Sequence, residues 1–154
     1  MREESNSTRE LGGREYAAAC AVFNLRAASR RITSLYNARL RKSGVLITQL
    51  PLLVALDYAG PMPLTRLAEE LEMDRTTLSR NWLPLVRSGL TREQSAADKR
   101  VRVLAITDKG SEALALALQL WNAAQAEVVA SMGDEGYRAF LGQLGKLQML
   151  GRRE

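Results

Sequence analysis

Between residues 74 and 102 the chain gathers the side chains best suited to a polyanion. Arg75, Arg80, Arg87, Arg92, Lys99, Arg100 and Arg102 stand there against Asp74, Glu93 and Asp98, whereas residues 108–154 carry a slight acidic excess. The string Arg75-Thr76-Thr77-Leu78-Ser79-Arg80 is the densest part. A guanidinium can bond phosphate or a guanine edge bidentately, a hydroxyl or a free helix N–H can bond a phosphate oxygen, and a threonine methyl can pack on thymine. An ordinary solvated helix face would also read this way, so position has to decide. Other chemistries are poorly served. Histidine is absent from all 154 residues, which removes His-dependent triads, HExxH zinc sites and Cys/His fingers together. Glu69, Glu70 and Glu72 form the densest carboxylate cluster, on a short helix where solvated charge is the default. Cys20 is the only cysteine, so no internal disulfide can form. It lies in an Ala-rich run where a free thiol is commonly buried and inert. No catalytic residue, metal or cofactor is expected, and the chain does not read as an enzyme.

The basic string needs a helix to present it. Asp74 is a good N-cap, and Leu78, Trp82 and Leu85 at i, i+4, i+7 give that helix an apolar face, with Gly89 closing it. Pro84 falls inside and predicts a kink or break at Leu83, because proline lacks the N–H and restricts its predecessor. Upstream, residues 14–42 lack Pro and Gly and repeat apolar positions at helical steps, which predicts one long amphipathic helix stopped at Gly44. Short helices follow over 48–58 and 65–71, separated by Gly60-Pro61-Met62-Pro63. Downstream, residues 91–93 and 101–106 have strand character around the polar turn 94–100, a β-hairpin. Thr107 then caps a helix of roughly 24 residues, about 36 Å long. On it Leu114, Leu118, Trp121, Gln125, Val128 and Met132 step like a coiled-coil seam. A final helix starts at Asp134 with Tyr137, Phe140, Leu141, Leu144 and Leu147 on one face. Trp82 and Trp121 sit at helical spacing with Leu and read as packing residues.

The fold class is therefore mainly α: a winged helix-turn-helix with a small hairpin wing and long outer helices. Residues 1–13 read as a flexible arm, 14–45 as an N-terminal dimerisation helix, 46–106 as the winged region and 107–154 as C-terminal dimerisation helices. The outer helices carry more apolar surface than one domain of this size needs, which predicts a second copy as partner, a homodimer. Net charge is +5, with 46% hydrophobic and 25% charged residues, an ordinary globular balance. No apolar run is long enough to span a bilayer, and the start of the chain has no apolar signal region, so no membrane association and a cytoplasmic location are expected.

Four stretches then match a known pattern in order. They are Leu46-Ile47-Thr48-Gln49-Leu50; Leu67-Ala68-Glu69-Glu70-Leu71 followed by residues 73–80; Leu85-Val86-Arg87-Ser88-Gly89-Leu90; and Asp98-Lys99-Arg100 with Ile106-Thr107-Asp108-Lys109-Gly110. In types and spacing the set resembles the MarR-type winged helix-turn-helix transcriptional regulators, including the wing signature "DxR…LTxxG". Leu83, Pro84 and Asn81 depart from the pattern in the second half of the recognition helix.

The resemblance implies a homodimeric, sequence-specific regulator of transcription, expected to be a repressor released by a small aromatic or anionic effector. Double-stranded DNA is the implied partner. A two-fold dimer would read an inverted-repeat operator with half-sites about one turn apart. Arg75, Thr76, Thr77, Ser79 and Arg80 would face DNA from the helix and Lys99, Arg100 and Arg102 from the wing. Arg100 would enter the minor groove while Asp98 braces the turn, although an ordinary charged turn reads the same. Tyr36, Arg26, Arg30 and Arg31 on the first helix are effector candidates, with surface salt bridges as the plainer reading. Some relatives sense oxidants through an N-terminal cysteine, which makes Cys20 a further candidate; neither Arg14 nor Arg26 lies within one turn to activate it. The alternatives are an effector-independent architectural or adaptor DNA-binding protein, and a thiol-based redox-sensing regulator.

Overall fold

The computed structural model describes residues 12–95 and 102–150, and the chain divides at Ser34/Leu35 into two compact units. In the first, α1 (Gly13–Ala19) and the start of α2 (Ala21–Leu40) replace the single helix expected over 14–42. The break falls at Cys20, whose backbone is extended (φ −75°, ψ 111°). Composition hid it, because the cause is one side chain. The Asn24 amide donates to the carbonyls of Ala17, Ala18 and Cys20 at 2.8, 3.3 and 2.9 Å. It thereby satisfies the Ala17 and Ala18 carbonyls, which a continuing helix would have paired with the N–H groups of Ala21 and Val22, the competition expected of asparagine.

In the second unit α2 ends in a 3₁₀ turn (Arg41–Ser43), and Gly44 stops it in the left-handed region at φ 71°, as its position predicted. Then come α3 (Leu50–Ala59), β1 (Met62–Pro63), α4 (Leu64–Glu70), α5 (Arg75–Arg87), β2 (Thr91–Ser95), β3 (Arg102–Ile106) and α6 (Asp108–Met149). The hairpin is present, with Thr91 opposite Ile106 and Ser95 opposite Arg102. A third strand was not expected. Met62 and Pro63, read as a helix terminator, pair with Leu104 and Val103 and give an antiparallel sheet of order β1-β3-β2.

The core of this unit is built from Leu40, Leu52, Leu53, Leu56, Leu67, Leu78, Trp82, Leu85, Leu104 and Leu114. Trp82 is buried and Trp121 packs against the cluster, as expected of both. The helix α5 begins where Asp74 predicted, its carboxylate accepting from the N–H of Thr77 at 2.9 Å. The break expected at Pro84 is absent: α5 runs through it unbroken. Buried Trp82 and Leu85 pin the helix on either side of the proline, and the Ser88 N–H closes the next turn on the Pro84 carbonyl at 2.9 Å.

Thr107 caps α6, its hydroxyl oxygen accepting from the Gly110 N–H at 3.0 Å. The expected division before Asp134 is a non-helical Gly133 (φ 69°, ψ 158°), which only glycine adopts readily. The expected seam is a correction. The buried stripe of the first segment is Leu114, Ala117 and Ala124, with Trp121 and Val128 partly buried against the core. Leu118 and Met132, counted on the seam, face solvent. The row from Leu114 to Met132 is thus mostly consumed by the chain's own core.

Two outcomes are expected from these contacts. A Cβ on Gly110 would stand 2.0 Å from the Leu90 carbonyl oxygen and 2.8 Å from Ile106 Cγ1. Gly110→Ala is therefore expected to cost about 3 kcal/mol, the upper end of overpacking penalties, seen as a lower urea midpoint with unchanged slope. A wild-type midpoint would show that the junction can open without cost. For Asp74, bonds from the Thr77 hydroxyl and N–H hold the carboxyl below its ordinary 3.8. The folded value being the lower one, this contribution is present above 3.8 and lost as pH falls through the folded value. Asp74→Ala is expected to lower the midpoint at neutral pH and to flatten its fall in acid; parallel acid profiles for both proteins would contradict this.

Candidate nucleic-acid interface

The first turns of α5 carry the basic string, and hydrogen bonding divides it. Thr77 Oγ1 donates to the second Asp74 carboxylate oxygen at 2.7 Å, and Ser79 Oγ donates to the Arg75 carbonyl, also at 2.7 Å. The Asn81 amide donates to the Thr77 carbonyl at 2.9 Å. Among the described residues, Arg75, Thr76 and Arg80 have no side-chain partner. All three are exposed. The helix therefore presents two guanidiniums and one hydroxyl with their protons uncommitted, at an end where the backbone supplies positive potential.

Arg75 and Ser79 also line an open hollow of about 620 Å³, where they meet Arg102 of β3 across Ala68, Glu69 and Trp82. The sheet brings Arg102 there, and the ion pair it makes with Glu93 is long, 3.7 Å, and exposed, so it constrains the guanidinium little. Of the residues expected to act together, the fold thus joins Arg75, Ser79 and Arg102 around one hollow and sets Thr76, Thr77 and Arg80 on the exposed side of α5. Asp98, Lys99 and Arg100 lie outside the described residues.

A buried residue sequence reasoning did not single out as functional holds α5 in place. Gln49 is buried; its side-chain oxygen accepts from the Leu46 N–H at 2.9 Å, and its amide reaches the Asn81 carbonyl at 3.5 Å. Its place in the Leu46–Leu50 motif was the available signal, but sequence alone gives no partner 32 residues away.

The effector candidates fall in different surroundings. Arg26, Arg30 and Arg31 are exposed in the first unit, where Arg26 and Arg30 flank a shallow hollow with Leu25 and Ser29. Tyr36, in the second unit, is buried. Its hydroxyl donates to the Gln125 side-chain oxygen, and the Gln125 amide donates to the Tyr137 hydroxyl at 2.7 Å. Burial pushes the Tyr36 phenol above its ordinary value, and neighbouring Tyr137 adds to the shift. The partner of Cys20 is a tyrosine and not an arginine. Tyr16, one turn earlier, holds its hydroxyl 3.5 Å from Sγ. That contact, with the N–H groups of Phe23 and Val22 at the start of α2, lowers the thiol from its ordinary value.

No protein-family model matches the chain, and no curated protein does. Solved structures do. The Mycobacterium tuberculosis transcriptional regulator MosR, in complex with DNA, is 36% identical with a TM-score of 0.73, over 86% of this chain and 98% of that one. Two less similar structures share the fold. CouR bound to p-coumaroyl-CoA is 21% identical with a TM-score of 0.78, over 90% of this chain and 97% of that one. A mutant MarR from E. coli complexed with operator DNA is 18% identical with a TM-score of 0.75, over 86% and 96%. With MosR aligned over almost its whole length at that identity, and the four motifs present in order in the sequence, the chain belongs to the MarR family of transcriptional regulators.

Proposed function

We propose that the protein is a homodimeric, sequence-specific binder of double-stranded DNA that represses transcription and is released by a small aromatic or anionic effector, and that it is not an enzyme. The observation that carries this reading is the free Arg75, Thr76 and Arg80 set at the exposed start of α5, with Arg102 of the sheet sharing a hollow with Arg75. MosR and MarR in complex with DNA, and CouR bound to a 23-mer duplex, support it. CouR bound to p-coumaroyl-CoA supports an effector, for which Arg26, Arg30, Arg31 and Tyr36 remain the candidates. A second copy is supported by large apolar residues left exposed beyond Gly133, among them Leu141, Leu147 and Met149 on α6 and Leu150 just after it.

Two substitutions separate the kinds of DNA contact. If Arg80 reads a guanine edge, Arg80→Ala is expected to lose about 1–3 kcal/mol for that base alone and to relax discrimination there. Arg100→Ala on the wing is expected to weaken binding to most sequences and to lower the salt slope by roughly one unit per subunit. Titrations over several salt concentrations, on a selected inverted repeat and on scrambled duplex, check both. Unchanged affinity and slope in both variants would reject docking through helix and wing.

A thiol switch at Cys20 is a second reading, favoured by the lowered thiol and its Tyr16 partner. More thiolate means faster alkylation and peroxide attack. Tyr16→Phe is expected to slow iodoacetamide labelling of Cys20 severalfold at neutral pH, and Cys20→Ser to remove any peroxide response in DNA binding. Equal labelling rates with and without the Tyr16 hydroxyl would leave the inert thiol as the better account.

A further inference from the structure

The hydrogen-bond pattern at the start of α5 separates residues that can donate to a base edge from residues that cannot. Thr77 is exposed and sits in the first turn, in the string expected to face DNA, yet its single hydroxyl proton is held by the Asp74 carboxylate at 2.7 Å. The Thr77 N–H on the other carboxylate oxygen, at 2.9 Å, closes the same small ring and fixes the side chain. A hydroxyl has one proton to give. What Thr77 retains is its methyl group and acceptor lone pairs already bordering a carboxylate. Thymine is the base whose major-groove edge carries a methyl group, and methyl-to-methyl contact is how a threonine distinguishes it without donating.

We propose that Thr77 is a specificity-determining residue that selects thymine through its methyl group, positioned for that contact by the Asp74 lock. The proposal rests on the DNA-binding reading above. It assigns donation to Thr76, Arg75 and Arg80, whose protons are free, and gives Asp74 a second role beyond ending a helix: it turns an adjacent polar side chain into an apolar reader. Asp74 carries a negative charge beside the helix start, where it would oppose a phosphate, so its presence costs electrostatic attraction to DNA that the lock returns as discrimination.

The test compares thymine with deoxyuridine, which differs only in the missing methyl. A duplex selected from a random pool is resynthesised with deoxyuridine at each thymine in turn, and binding to the full-length protein is titrated. Wild type is expected to bind roughly fourfold more weakly when the contacted thymine of one half-site is replaced, the worth of one buried methyl, and roughly fifteenfold more weakly when both are. Thr77→Ser keeps the hydroxyl and the lock but lacks the methyl, and is expected to bind thymine and deoxyuridine duplexes equally. Thr77→Val keeps methyl groups and the backbone N–H bond but loses the hydroxyl bond to Asp74, and is expected to keep a weaker thymine preference than wild type; an undiminished preference would show that the methyl reads thymine without the hydroxyl bond holding it. If wild type tolerates deoxyuridine at every position, or Thr77→Ser keeps the same sensitivity at the same position, the methyl contact is wrong while DNA binding stands. If no duplex is bound at any salt concentration, the underlying DNA reading fails, and this proposal with it.

Discussion

The Thr107 hydroxyl is committed on both sides. It accepts from the Gly110 N–H, ending α6 cleanly, and donates to the Gly89 carbonyl at 2.7 Å, in the turn that closes α5. The Thr107 N–H donates to the Leu90 carbonyl at 3.1 Å, and Lys109 Nζ donates to the Ser88 carbonyl at 2.7 Å. These bonds use the carbonyls of the turn that follows α5. They need α6 to approach so closely that no side chain fits at position 110, where even a methyl would overlap the Leu90 carbonyl. Thr91 and Ile106, adjacent to this knot on either strand, begin the β2–β3 ladder. The end of α5, the base of the β2–β3 hairpin and the start of the longest helix therefore meet in one small set of bonds. Displacing any one of the three would break hydrogen bonds belonging to the other two.

That constraint explains how α5 tolerates a proline. Pro84 removes the N–H that would have bonded the Arg80 carbonyl. The helix is held instead from outside: by Leu78, Trp82 and Leu85 in the core, by the Asp74 cap at one end and by the Thr107 knot at the other. Gln49 adds a polar hold midway, through the Asn81 carbonyl. With position fixed by packing and caps, the exposed side of α5 is left to chemistry, and local bonds decide which of its polar groups keep a proton to donate.

Features governed by one residue's backbone or capping chemistry were legible in the sequence. Asp74, Gly44, Gly89 and Thr107 each mark an end whose physics is local, as does the start of a new segment at Asp134. The basic string was legible for the same reason, and its division into committed and free hydroxyls was not, since it depends on side-chain geometry around Asp74. The missed features depend on partners distant in sequence or on competition. The break at Cys20 follows from an amide four residues on. Strand β1 exists because Leu104 and Val103 offer Met62 and Pro63 an edge, some forty residues later. Tyr16 beside Cys20 carries no charge for a sequence to signal, and here its hydroxyl and the helix N–H groups favour the thiolate.

The α6 seam shows how a correct period can carry the wrong partner. Leu114, Trp121 and Val128 belong to both the expected row and the observed stripe, so the spacing was read properly. What the period cannot tell is which neighbouring positions close the stripe. The fold buries Ala117 and Ala124 on the α6 face that packs into the core, and so leaves Leu118 outside. Gln125 then makes sense as a polar residue beside an apolar stripe. It joins Tyr36 to Tyr137, bridging Gly133 along the chain, so the segment after the break is tied back by hydrogen bonds. Past that tie the apolar side chains have little of their own chain left to cover them: Met149 and Leu150 are each 69% exposed. On the homodimer reading, surface for a second copy is offered beyond Gly133 and by exposed Leu116, Leu118 and Met132, while Leu114, Trp121 and Val128 of the heptad-like row are spent on folding the subunit that carries α5.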